Sequence, residues 1–156
     1  MKKVSLDTWI QLLGMLGLLG GLIFVGLEMQ QSQRIAVASQ QQDRAAITVD
    51  VVNAFYEVDV DFQSTYFERN FDYDFSTEEI AYRNMIHKAW FIYENDFYQY
   101  TQGLMDERTW QAKLAGIQGI YNYCDVRNLY DSRAPIFSED FRQVVEAIPD
   151  QCGSNR

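Results

Sequence analysis

Residues 17–36 read GLLGGLIFVGLEMQQSQRIA and pass without a break from hydrocarbon into glutamine and charge. Whether this stretch is a membrane anchor, a cleaved export signal or a buried helix decides the fold. From Thr8 to Leu27 there are twenty consecutive residues without a charge. As a helix rising ~1.5 Å per residue they extend ~30 Å, the thickness of a bilayer's hydrocarbon core. Eleven of the twenty are Leu, Ile, Phe or Val. These contribute roughly −3 to −7 kcal/mol to insertion, before the glycines, Thr8 and Gln11 subtract their share. Trp9 stands where an interfacial aromatic belongs, and Asp7 and Glu28 mark the two water boundaries.

The export-signal reading draws on Lys2 and Lys3, a basic start, and on the A-x-A pattern of Ala36, Val37 and Ala38. Its geometry is poor, because that site lies nine residues beyond Leu27 with Glu28 and Arg34 between. The buried-helix reading needs the remaining 129 residues (156 minus 27) to wrap a helix apolar on every side. Retention as an anchor is the reading that both length and flanks favour. Within it, Gly14, Gly17 and Gly21 fall within about 60° of one another on a helix, and Gly17 with Gly21 forms a G-x-x-x-G pair. Such a stripe lets a second membrane helix approach closely, although glycine is common in membrane helices for other reasons. Glu28 continues the same face just outside the apolar zone. The expected partners are therefore the lipid bilayer and, through the glycine face, a second copy or another membrane protein.

The chain has 156 residues, 47% of them hydrophobic, which fits one compact domain beside the apolar segment. Its formal charge is −9; Lys2, Lys3 and Asp7 sum to +1, so the part from Glu28 onward carries −10. A unit of that charge repels phosphate backbones, and nucleic acid is excluded as a partner. Lys2 and Lys3 on one side of the span against Arg34 and Arg44 on the other lean slightly toward a cytoplasmic amino terminus. The remainder would then face a periplasm-like space.

No Gly or Pro occurs from Glu28 through Gln102, so nothing in the composition stops the helix at the membrane surface. Residues 28–44 are glutamine-rich and predict a solvated helical stalk between a flank (1–7), a span (8–27) and a domain (45–150), with a tail at 151–156. Ala45, Val49, Val52 and Tyr56 recur at helical spacing, and the helix is expected to end between residues 57 and 65, with YEVDVDFQ (56–63) as its fraying end. In FSTEEI (75–80), Ser76 and Glu79 form a capping box, with Phe75 placed to pack on Ile80. The helix that begins there buries Tyr82, Ile86, Ala89, Tyr93, Phe97 and Tyr100 and stops at Gly103. A third helix starts at Asp106 with Trp110, Leu114, Ile117, Tyr121 and Cys124 in one stripe. Pro135 breaks the chain, and a last short helix opens at Ser138 and closes at Pro149. The predicted fold class is all-α: an N-terminal transmembrane helix continuing into a stalk, then a small helical bundle.

Motifs that carry chemistry are few. The one histidine, His87, shares a helix face with Trp90 and Glu94, but Glu94 is two turns away, ~10 Å along the axis, too far to share a metal ion. Nine acids between Asp50 and Glu79 surround a single Arg69. Neither Asp59-x-Asp61 nor Asp72-x-Asp74 continues into a calcium loop, so a solvated acidic face is expected. Fifteen aromatic residues lie between Phe55 and Tyr100. Most serve a core; a pocket among His87, Trp90, Tyr93, Glu94 and Phe97 is the alternative. No phosphate loop, nucleophile elbow or zinc signature is present, and no catalytic residue, cofactor or metal is assigned. Cys124 and Cys152 would close a loop of about 28 residues in an oxidising compartment and stay free thiols in a reducing one.

The run LIFVGLEMQQSQRIAVASQQQ (22–42), with NDFYQYTQGLMDERTWQ (95–111) and SEDFRQVVE (138–146), resembles a group of small, uncharacterised single-pass membrane proteins of bacteria. The resemblance implies an anchored helical domain at a bacterial inner membrane, without an activity to carry over. Two functions follow as expectations: a membrane-anchored interaction or accessory protein, and, less favoured, a small-ligand or cation-binding sensor or enzyme.

Overall fold

A computed structural model of the chain describes residues 5–153. Five α-helices make up most of it: α1 (Leu6–Glu57), α2 (Thr77–Thr101), α3 (Glu107–Tyr121), α4 (Arg127–Arg133) and α5 (Glu139–Glu146), with no strand among the described residues. The chain divides into two compact units, residues 1–37 and 38–156.

The first unit contains the apolar part of α1. It buries nothing: within the apolar window no residue is covered by protein, and Leu18 and Leu22 are 72% and 70% exposed. This is one helix long and apolar enough to cross a membrane. Gly14, Gly17 and Gly21 have open space where a Cβ would stand.

The second unit takes in α1 from Ala38 rather than from Ala45, so part of the expected stalk is packed. Ala38 is buried and its carbonyl accepts a 3.0 Å hydrogen bond from Gln99 Nε2 on α2. Val52 on the same face is fully buried, while Ile47 and Val51 on the other remain exposed. Lys88 Nζ donates to Asn53 Oδ1 at 3.1 Å and ties the two helices again about four turns further along α1.

α1 ends sharply instead of fraying. Asp59 adopts φ 54°, Val60 N–H donates to Phe55 O at 3.0 Å and Asp59 N–H to Tyr56 O at 3.2 Å. This is a Schellman stop with an aspartate in the left-handed position usually given to glycine. A π-helical turn, Gln63–Phe67, follows and closes through Glu68 N–H to Gln63 O at 3.1 Å. α2 then opens on the Ser76–Glu79 capping box, with both reciprocal bonds present. Phe75 lies under the Arg83 guanidinium, 4.5 Å from its centre. At the far end, Gly103 (φ 71°) with Leu104 N–H on Gln99 O and Gly103 N–H on Tyr100 O forms a second Schellman stop.

α2 is the central helix of this unit and lies against α3 and α4, with α5 against α3. The core is Ile86 and Trp90 of α2, Trp110, Ile117 and Tyr121 of α3, Leu129 and Tyr130 of α4, and Phe141 and Val145 of α5. Tyr82, Ala89, Tyr93, Phe97 and Tyr100 pack against it partly exposed. Asp106 caps α3 through the amides of Arg108 and Thr109. The stripe of α3 stops at Tyr121: Cys124 lies beyond the helix in a 3₁₀ turn and is exposed rather than buried. α4, which carries no periodic signal at seven residues, follows that turn, and Pro135 sits in a further 3₁₀ turn that leads to Ser138.

Candidate functional site

Eight of the nine acids between Asp50 and Glu79 are exposed, as a solvated face requires, and the exception is Asp61, which is 0% exposed. Arg83 of α2 reaches it through Nε to Oδ1 at 2.8 Å and Nη2 to Oδ2 at 3.2 Å. Ser64 N–H adds 2.7 Å to Oδ2, and the Asp61 amide itself donates to Tyr73 Oη. Burial pushes the Asp61 carboxyl up, but the bonds from Arg83 and Ser64 outweigh it and hold it below the usual range. Asn84, also fully buried, accepts from Phe62 N–H through Oδ1 and donates to Val60 O through Nδ2, both at 2.9 Å. One turn of α2 therefore presents Arg83 to the Asp61 carboxylate and Asn84 to the backbone that connects α1 to the π-turn.

His87 is one turn further along α2 and is wholly buried. Its ring stacks on Phe67 (5.5 Å, 10°) and meets the edge of Phe62 at 5.0 Å. Neither ring nitrogen bonds to a described residue. Burial, with the positive charge of Arg133 adding to it, pushes the imidazole down to about 3, so it is neutral at physiological pH. Arg133 of α4 is also fully buried, stacked over Phe91 at 3.6 Å and Phe137 at 5.2 Å; burial lowers it to about 10, which leaves it charged. Gln63 Nε2 completes the group with bonds to Glu68 Oε1 and Ser132 Oγ.

The five residues proposed for a pocket are not gathered around one. His87 and Trp90 are core, Trp90 lying 5.1 Å from the Tyr130 ring. Tyr93 rests against α3, where Gly116 gives its hydroxyl room. Phe97 packs between Trp110 and Phe141. Glu94 accepts Ser138 N–H at 3.2 Å and is raised by burial, partly offset by that bond. Glu94 and Phe97 touch a surface cleft of about 350 Å³ that also involves Tyr98 and Asp140. No group of three potential metal ligands occurs among the described residues.

The second chemical site is the cysteine pair. Cys124 and Cys152 form a disulfide with their Cα atoms 5.4 Å apart. Cys152 is 8% exposed, and Arg127 Nη2 stands 3.5 Å from its Sγ. Arg127 is itself buried: its Nε donates to Tyr121 O at 2.7 Å, its guanidinium lies 3.7 Å from the Tyr121 ring centre, and Nη2 also meets Asp150 Oδ1 at 3.0 Å. Beside the bridge lies a shallow cleft of about 570 Å³, lined by Gln118, Gly119, Asn122, Tyr123 and Gln151 among others. In the sequence the two cysteines stand equally for a bridge or for free thiols, and Arg127 has no visible role, because an arginine three residues past a cysteine and twenty-five before another carries no local pattern.

Compared with known proteins, the chain matches no family model, no curated protein and no solved structure.

Proposed function

We propose that this chain is a membrane-anchored helical protein that acts through protein–protein contact, as an accessory or oligomeric component of a bacterial inner membrane. The supporting observation is the apolar part of α1, none of which the protein itself covers. Twenty uncharged residues left bare in water forfeit roughly 25 cal/mol for each Å² of apolar surface, and a bilayer removes that cost. Such an anchor tethers the acidic unit to the membrane, and the Cys124–Cys152 bridge favours the oxidising side of it. The resemblance of residues 22–42, 95–111 and 138–146 supports the bacterial setting. Gly14, Gly17, Gly21 and Glu28 offer a face for helix association.

The test is extraction of membranes with alkaline carbonate, followed by measurement of the mass of the chain that stays behind. A full-length chain in the pellet supports the anchor. A shortened chain identifies a cleaved signal, and a full-length chain in the supernatant identifies a helix covered by protein; either result overturns the proposal. Replacing Gly17 and Gly21 with Leu should weaken crosslinking in detergent, and unchanged crosslinking would remove the glycine face from it.

A further inference from the structure

The two sulfurs of the Cys124–Cys152 bridge have different surroundings. Cys124 lies in an exposed 3₁₀ turn and Cys152 is nearly covered. The buried guanidinium of Arg127 touches only the second of them, at 3.5 Å. Asn122 O lies near both, 3.6 Å from Cys124 Sγ and 3.8 Å from Cys152 Sγ, and therefore does not distinguish them. Asp150 shares Arg127 Nη2, so the guanidinium divides its charge between a carboxylate and the sulfur.

Thiol–disulfide exchange depends on which sulfur can be reached and on how well the other leaves as a thiolate. A cation beside a cysteine favours its thiolate. Here access and leaving-group stabilisation point the same way, since the reachable sulfur is Cys124 and the stabilised leaving group is Cys152. The neighbouring cleft has an open floor at Gly119 and walls that mix the Gln118 and Gln151 side chains with Tyr123, Ile148 and Pro149, while Asn122 spends its amide on Gln118 O and the Gln151 N–H.

We propose that the Cys124–Cys152 bridge is a thiol–disulfide exchange site that opens in one direction, with a protein dithiol as its reaction partner. A partner thiolate attacks Cys124 Sγ, the bond to Cys152 breaks, and its electron pair departs on Cys152 Sγ beside Arg127. A mixed disulfide now joins Cys124 to the partner. The partner's second thiol gives up its proton and attacks its own bridged sulfur, and Cys124 leaves. Cys124 and Cys152 each take up a proton, so two electrons and two protons move from the partner dithiol to this bridge and the partner ends as a disulfide. The exchange stands whether or not residues 8–27 cross a bilayer.

The test uses the full chain in detergent micelles with glutathione as the attacking thiol, acid quenching, alkylation of released thiols and peptide mass mapping. Glutathione is expected on Cys124 and the alkyl group on Cys152, at a rate nearly independent of urea below the unfolding transition. Arg127→Met should slow opening roughly tenfold at neutral pH, because the leaving thiolate loses its cation, while Arg127→Lys retains most of the rate. Glutathione found on Cys152 would overturn the proposal. So would an opening rate that climbs with urea in step with global unfolding, or an Arg127→Met chain of unchanged circular dichroism that opens at the wild-type rate. If Arg127→Met does not fold, the position of glutathione on the wild-type chain and the urea dependence decide the matter alone.

Discussion

Asp61 and Arg83 show how an ion pair can bury one acid of a run whose other members stay exposed. Removing a carboxylate from water costs several kcal/mol, and only the bidentate guanidinium with the Ser64 amide makes the buried position tenable. Arg83→Met leaves that charge unpaired and should destabilise the second unit by about 3 to 5 kcal/mol in urea titrations of the full chain. Asp61→Asn should cost less than Arg83→Met, because the orphaned Arg83 is 9% exposed and can turn toward water. His87 gives a separate pH signature. Its folded value of about 3 lies below the unfolded 6.5, so the unfolded chain binds the extra proton between those limits. Stability is then complete above pH 6.5 and falls by up to ~1.4 kcal/mol per pH unit toward pH 3. Glu94, raised by burial, opposes this trend, and Asp61, held low, adds to the loss only at the acid end. His87→Leu should flatten stability between pH 4.5 and 6.5; an unchanged slope would show that another group titrates there.

At the scale of elements, the two ends of the long helices have the same geometry and different residues. Gly103 takes its left-handed φ at no steric cost, whereas Asp59 and, after the π-turn, Arg69 (φ 52°) carry side chains there. Asp59→Gly should therefore stabilise the chain by about 0.5 to 1 kcal/mol, measured as a rise in Tm with the fold unchanged. This contrast also explains what sequence could reveal. Ser76, Asp106 and Gly103 announce their helix ends locally, because a cap or a left-handed turn is chemistry within four residues. The stop at Glu57 is legible in the sequence only as an end between residues 57 and 65, since Asp59 is not a glycine. The burial of Asp61 depends on Arg83, twenty-two residues away, and no spacing rule connects them. α4 is too short to show a period, and Cys124 falls on the α3 stripe by spacing alone, which continues past the place where Asn122 ends the helix.

At the scale of the whole molecule, residues 150–153 are held by one covalent bond, by Arg127 and by the Gln151 N–H on Asn122 Oδ1. A closed loop of 28 residues contributes roughly 3 to 4 kcal/mol in the chain-entropy model. Reduction, or replacement of both cysteines by Ser, should lower the unfolding free energy by about that amount while leaving the helical content in place. An effect near zero would mean that the unfolded chain already holds these segments together. The aromatic richness between Phe55 and Tyr100, in contrast, is a property of the whole core: Trp90 meets Tyr130 and Phe137, and Tyr100 stacks on Trp110 at 4.9 Å.

The three tryptophans stand in three settings: Trp9 is 53% exposed on the apolar helix, Trp90 is 1% exposed at the centre of the bundle and Trp110 lies under Tyr100. Each is therefore an intrinsic optical probe of its own region. With Trp9 as the only emitter, its fluorescence should shift to the blue and be quenched by brominated acyl chains when the protein enters vesicles. In a second chain with Trp90 as the only emitter, the emission should ignore the lipid and respond to urea alone, so bilayer entry and loss of the bundle can be followed separately without a label.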